Sequence, residues 1–306
     1  MVDTFANDKK WPKKPIARDN PDIPPHGWLL HVLYWVETEC WGRWEHWLKV
    51  IQNGNVLDEP IPQIEFDPHS AAPVRKMHEN ALNSITRSGG WEGWGSWDLF
   101  NYYLDWLLYG FGHPGQKEPP KEPDRGAFDR LYQTYCLDIM IARPADVFGD
   151  LMAENRHGRG RGFYPTPHNV SEMMARMLME GDDCRFKTVC DPCVGTGRLI
   201  LHASNYSYRL FAQDVDETVI KAALVNGYCF APWLVRPFFD NAKSSSAELS
   251  DSLTEQAPPH AVEYLKGTEH DGENQYLFEP IKKRRKKGEP EIQQGLLFKN
   301  FGEHGR

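Results

Sequence analysis

Several absences bound this chain of 306 residues before any motif is read. No run of about 18 apolar residues occurs, so the sequence offers no helix to cross a membrane. The first ten residues lack the apolar core of a secretion signal, and a cytoplasmic protein is expected. Positive charge is in deficit: 35 Lys and Arg face 43 Asp and Glu, for a net charge of -8. No global basic field draws nucleic acid, and any DNA contact must use local patches. Cysteine is sparse, with six residues at positions 40, 136, 184, 190, 193 and 229. Their scatter argues against a disulfide framework and fits a reducing compartment. Cys190 and Cys193 form a CxxC pair, but no second pair or histidine cluster joins them, so no metal site is expected.

What is present converges on Asp191-Pro192-Cys193-Val194-Gly195-Thr196-Gly197. Before it, Phe186 to Cys190 has strand character; after it, Arg198 to Ala203 reads as a helix. A strand, a glycine-bearing turn and a helix in that order can cradle a nucleotide-like cofactor. The glycines allow close backbone approach, because no Cβ stands in the way. A second strand end, Gln213-Asp214-Val215-Asp216, follows about 20 residues on, where a carboxylate can accept from ribose hydroxyls. The loop is not Gly-x-Gly-x-x-Gly, the pattern that cradles a pyrophosphate. S-adenosylmethionine is therefore the better ligand. The alternative is a strand-turn-helix with no ligand.

Upstream stands Gly160-Arg161-Gly162-Phe163-Tyr164-Pro165-Thr166-Pro167. Together these segments resemble the N6-adenine DNA methyltransferases, above all the gamma-type enzymes and the modification subunits of bacterial type I restriction systems. The resemblance covers roughly 144–235 and includes Asp146 to Met152 as the helix before the first motif. It implies an α/β fold, a partial Rossmann-like methyltransferase fold preceded by a helical N-terminal domain. It also implies S-adenosylmethionine as cofactor and DNA as substrate. By resemblance, Phe163, Tyr164, Thr166 and Pro167 would line the methionine end. Asp191, Pro192, Gly195 and Gly197 would form the loop beneath, and Asp214 would hold the ribose. The first motif carries one more proline than its commonest form.

The catalytic motif of that family, Asn/Asp/Ser-Pro-Pro-aromatic, is missing. Its polar side chain accepts from the adenine amino group while the ring stacks on the extruded base. The Pro-Pro pairs here read Ile23-Pro24-Pro25-His26, Glu118-Pro119-Pro120-Lys121 and Ala257-Pro258-Pro259-His260. None has the polar residue before and the aromatic after, so the catalytic residues remain unassigned.

The rest divides into a flexible arm (1–25), a helical, Trp-rich domain (26–143), a cofactor-binding domain (144–240) and a polar tail expected to be disordered (241–306). Apolar periodicity predicts helices at about 28–51, 71–88, from Ser96 to Gly110, 128–141 and 217–226. Strands are expected at 186–190 and 209–213. The run Tyr228 to Val235, interrupted by Pro232, reads as an edge or broken strand. Ten of the eleven tryptophans precede residue 110, and at helical spacing they read as core rather than as base-stacking platforms. The further strands of a methyltransferase sheet are not found, so strand 186–190 would be an open edge unless the tail, the helical domain or a partner subunit covers it. The tail carries the basic run Lys282 to Lys287, which could contact phosphates. Gln294-Gly295-Leu296-Leu297-Phe298 resembles the Gln-x-x-Leu-Phe peptide by which phage and bacterial DNA enzymes bind the replication sliding clamp. Two functions stay open: a DNA adenine-N6 methyltransferase of restriction-modification type, or an inactive or truncated cofactor-binding subunit acting on DNA through a partner.

Overall fold

A computed structural model describes residues 23–54, 57–87, 97–155, 157, 163–179 and 183–237, with the short pairs 279–280 and 296–297. The described part is mostly helical. Helix α1 (Leu30–Cys40) and helix α2 (Arg43–Asn53) divide what periodicity predicts as one helix. The break is Gly42, whose left-handed φ of 70° no continuing helix can hold. Glu37 folds back across it, and its carboxylate accepts from the backbone N–H of Arg43 at 2.6 Å and of Trp44 at 2.9 Å. It thereby caps the α2 N-terminus in place of a Ser or Asp.

Helix α3 (Ala72–Ser84) follows a 3-10 turn, Pro68–Ser70, capped by Asp67. Helix α4 (Trp97–Gly110) lies where expected, though Ser96 falls outside the described residues. The predicted helix 128–141 is also two, α5 (Ala127–Thr134) and α6 (Leu137–Ala142), parted by extended backbone at Tyr135 and Cys136. Helices α7 (Val147–Glu154) and α8 (His168–Met179) lead to strand β1 (Val189–Asp191). Helix α9 (Arg198–Ala203) crosses to strand β2 (Leu210–Ala212), which pairs parallel with β1, Val189 beside Leu210 and Asp191 beside Ala212. Helix α10 (Glu217–Phe230) and helix α11 (Pro232–Val235) complete this part. The run 228–235 is thus helical, not a strand. Pro232 starts α11, at a position where a missing N–H costs nothing.

One apolar cluster runs from α1 through α7 and on to α9, β2, α10 and α11. Trp44, Trp47, Trp106 and Trp233 are fully buried in it, as core rather than stacking platforms. Two of the indole nitrogens also tie segments together: Trp44 donates to the Tyr228 carbonyl at 2.8 Å and Trp47 to that of Arg236 at 2.7 Å. Arg43, wholly buried, donates to the carbonyls of Pro62 and Phe230 and to Ser204 and Asn205.

Among the described residues β1 has no neighbour other than β2. Helix α8 packs on α9 through Ser171, Ala175 and Met179. Its other face exposes Met173, Met174, Met177 (76%) and Leu178 (69%). In the tail, strand β3 (Glu279–Pro280) pairs antiparallel with strand β4 (Leu296–Leu297). The basic run, Gln294, Phe298 and the third Pro-Pro pair lie outside the described residues. No helix among the described residues is long and apolar enough to cross a membrane.

Trp44→Ala is expected to cost about 3–5 kcal/mol, as a large buried side chain lost from a packed core. Met177→Ala should stay within about 0.5 kcal/mol, because its side chain stands in solvent. Urea denaturation of both variants checks the pair.

Candidate functional site

Strand β1 delivers Asp191 to the head of the glycine loop, and β2 delivers Asp214 beside it. Backbone bonds zip the two strand ends together: Gln213 N donates to the Asp191 carbonyl at 3.0 Å, and Val194 N to the Gln213 carbonyl at 2.9 Å. Gly195 takes φ 53°, and its N–H donates to Asp214 Oδ2 at 2.9 Å. Asp214 Oδ1 accepts from Val215 N at 2.7 Å and Asp216 N at 3.1 Å. Three of the roughly four acceptor positions on a carboxylate are therefore taken. Among the described residues Asp191 Oδ1 accepts from Cys193 N alone, at 3.0 Å. Burial, and then the charge of Asp214, raise the Asp191 pKa above its ordinary value, against the Cys193 N–H that lowers it. Two carboxylates thus share one corner of the loop.

Phe163 joins them. A Cβ placed on Gly195 would stand 3.5 Å from Phe163 Cε2, so the ring lies over the glycine. Thr166 is held through its carbonyl, which accepts from Arg198 Nη1 at 3.0 Å. Pro167 stands immediately before α8, and its carbonyl accepts from Val170 N and Ser171 N. Gly197 caps α9 with a left-handed φ of 96°. Pro192, within the loop, and Tyr164 are exposed, Tyr164 to 83%. Val215, 62% exposed, adds an apolar side chain directly after Asp214. Among the described residues no group of three or more His, Cys, Asp or Glu could hold a metal ion.

Beneath the loop lies a polar cluster centred on Asp146, which is fully buried. Asp146 Oδ2 accepts from Thr196 Oγ1 at 2.6 Å and Arg198 Nε at 3.0 Å. Oδ1 accepts from Gly149 N at 3.0 Å and Asn226 Nδ2 at 2.9 Å. Arg198 Nη2 donates to the Asp146 carbonyl and to Asp150 Oδ1. Burial pulls the Arg198 pKa down, but Asp146 and Asp150 outweigh it and leave it raised. The cluster fixes α7, the glycine loop, the Phe163–Pro167 segment and α10 on one centre. Sequence reading assigned none of Asp146, Thr196, Arg198 or Asn226 a role. The available signal was the Arg directly after Gly197, since a charge opening a buried helix needs a partner.

The other two Pro-Pro pairs lie among the described residues. The Pro24 carbonyl accepts from Tyr109 Oη at 2.9 Å, anchoring the α4 end. Pro119 and Pro120 lie in the connection from α4 to α5.

Gly149 admits no side chain: its Cβ would meet Asp146 Oδ2, with Thr196 Oγ1 at 2.7 Å and Arg198 Nη2 at 2.8 Å. Gly149→Ala is expected to cost about 1–3 kcal/mol by overpacking. Asp146→Ala should cost about 3–5 kcal/mol, because it removes the main partner of a buried guanidinium. Chemical denaturation checks both.

Residues 144–227 match the N-6 DNA Methylase family. No curated protein and no solved structure matches the chain. The matched stretch contains the Asp146 cluster, the glycine loop, Asp214 and the Phe163–Pro167 segment. Over this region the chain resembles the N6-adenine DNA methyltransferases.

Proposed function

We propose that the chain is an S-adenosylmethionine-dependent, DNA adenine-N6 methyltransferase-like protein of the restriction-modification type. The observation that carries the cofactor is the sign of the site. Asp191 and Asp214 crowd together at the loop, and burial already holds the Asp191 pKa up. Such a corner repels phosphates and attracts a cation. S-adenosylmethionine carries an ammonium and a sulfonium, and when bound it supplies an electrophilic methyl group. Asp191, with its second oxygen free of backbone donors, would take the ammonium. Asp214 has about one acceptor position left for a ribose hydroxyl. Gly195 keeps the floor bare, Gly197 lets the loop turn into α9 close against Ala223 of α10, Phe163 closes the side toward the methionine, and Val215 offers an apolar shelf. Pro192 and Tyr164 would border the opening, and Thr166 and Pro167 would hold the Phe163 segment in place. The unpaired state of all six cysteines supports a reducing, cytoplasmic setting.

A second reading is a cofactor-binding subunit that meets DNA through a partner completing the sheet. The lack of a second neighbour of β1 among the described residues and the exposed methionines of α8 favour it. Methyl transfer to unmodified DNA by the chain alone, lost in Asp191→Ala, would select the first reading. Transfer only after a partner is added would select the second.

Cofactor binding is tested by titration calorimetry. A bound cation favours the ionised carboxylate, so binding expels any proton that Asp191 holds. Affinity is expected to rise from acid toward neutral pH and then level off, with most of that slope gone in Asp191→Asn. No heat at millimolar cofactor would sink the assignment. The tail peptide Gln294, Leu297 and Phe298 is proposed as a sliding-clamp contact; Phe298→Ala is expected to abolish clamp binding, and no binding by the parent removes the idea.

A further inference from the structure

His157 stands between the two halves of the site. Its backbone N–H donates to the Met152 carbonyl at 2.8 Å and ends α7. Its side chain is almost wholly buried, and Nε2 lies 3.0 Å from Asp216 Oδ2. Asp216 Oδ1 accepts from Thr218 N at 2.9 Å and caps α10. Burial, the largest influence, would raise the Asp216 pKa, but His157 and the backbone N–H groups of Thr218 and Val219 together outweigh it and hold the carboxylate below its ordinary range. The other side of the imidazole meets two aromatic rings, Trp97 at 4.3 Å and Phe163 at 5.9 Å between centroids, both edge-on.

These contacts close a circuit. Phe163 covers Gly195, the Gly195 N–H is bound to Asp214, and Asp214 is two residues from Asp216, which returns to His157. Phe163 therefore meets the acidic turn by two routes, over Gly195 to Asp214 and through the imidazole to Asp216. Among the described residues His157 is the side chain that contacts both Phe163 and Asp216. Its Nδ1 is buried with no hydrogen-bond partner among the described residues. An apolar ring would avoid that cost, so packing alone does not account for the imidazole.

The geometry points to His157 as a positioning residue that holds Phe163 and the Asp214–Asp216 turn at the separation S-adenosylmethionine requires. This rests on the cofactor reading above. His157 does not touch the ligand; it acts through Phe163 on one side and Asp216 on the other. Losing it leaves the loop in place, since the Asp146 cluster fixes that, but frees the two walls to drift apart.

The test is calorimetric affinity for S-adenosylmethionine, with melting temperature measured beside it, on the full chain. The parent is compared with His157→Ala, His157→Gln and His157→Phe. The Ala variant is expected to bind about tenfold more weakly, the worth of one charge-assisted hydrogen bond. Gln keeps a donor toward Asp216 without the orphaned nitrogen and is expected to recover most of the loss. Phe keeps the ring without the bond and should remain weak. A fall in melting temperature with unchanged affinity in Ala would mean a purely structural residue and overturns the proposal. So does a Phe variant that binds as tightly as the parent, a comparison that holds even where Ala fails to fold. A parent that binds no cofactor overturns the cofactor reading itself, and this inference with it.

Discussion

The position of every segment at the loop follows from one buried ion pair, Asp146 with Arg198. Its two side chains reach α7, the glycine loop, the carbonyl of Thr166 and, through Asn226, the middle of α10. A pair this deep adds little net stability, because desolvation of both charges offsets their attraction. What it fixes is geometry. Each acceptor position of Asp146 is used, so no segment can shift without leaving a polar group unpaired in the interior. Gly149 belongs to the same constraint, since the carboxylate occupies the space where a side chain would stand.

The helical region supports the site from behind. Arg43 reaches Ser204 and Asn205 after α9 and the carbonyl of Phe230 at the end of α10, while its guanidinium faces the Trp233 ring at 5.1 Å. Burial lowers its pKa to about 9 against the opposing pull of Glu37, and burial likewise raises the Glu37 pKa to about 7. Against burial, Glu37 is held first by the backbone N–H groups of Trp44 and Arg43, and the Arg43 guanidinium by its carbonyl and side-chain acceptors. The helices carrying the tryptophans and the segments carrying the loop share one packed interior.

Much of this was legible in the sequence. The order strand, glycine loop, helix, acidic strand end is local, and local order survives into the structure with shifts of one to three residues. The helix breaks at Gly42 and at Tyr135–Cys136 were not legible from apolar spacing, which continues across both. Gly42 does carry a conformational signal, but its cap comes from Glu37, a residue that reads as an ordinary surface charge. The run 228–235 misled because an apolar stretch with a proline suits a buried helix end as well as an edge strand. The Asp146 cluster and His157 were invisible for another reason. The side-chain partners of Asp146 lie 50 to 80 residues away and that of His157 lies 59 away, and no spacing rule spans such distances.

The bonds from Arg43, Trp44 and Trp47 carry a consequence for how the chain comes to be folded. Apart from the Pro62 carbonyl bound by Arg43, their partners lie 161 to 189 residues downstream. During synthesis the early helices emerge with a guanidinium and two indoles most of whose acceptors do not yet exist. Closing such long loops costs entropy before any contact repays it, so this seam should form late and slowly. Until Tyr228 and Phe230 leave the ribosome, the most aromatic part of the protein waits with its apolar faces uncovered, and a chaperone would find its binding site there.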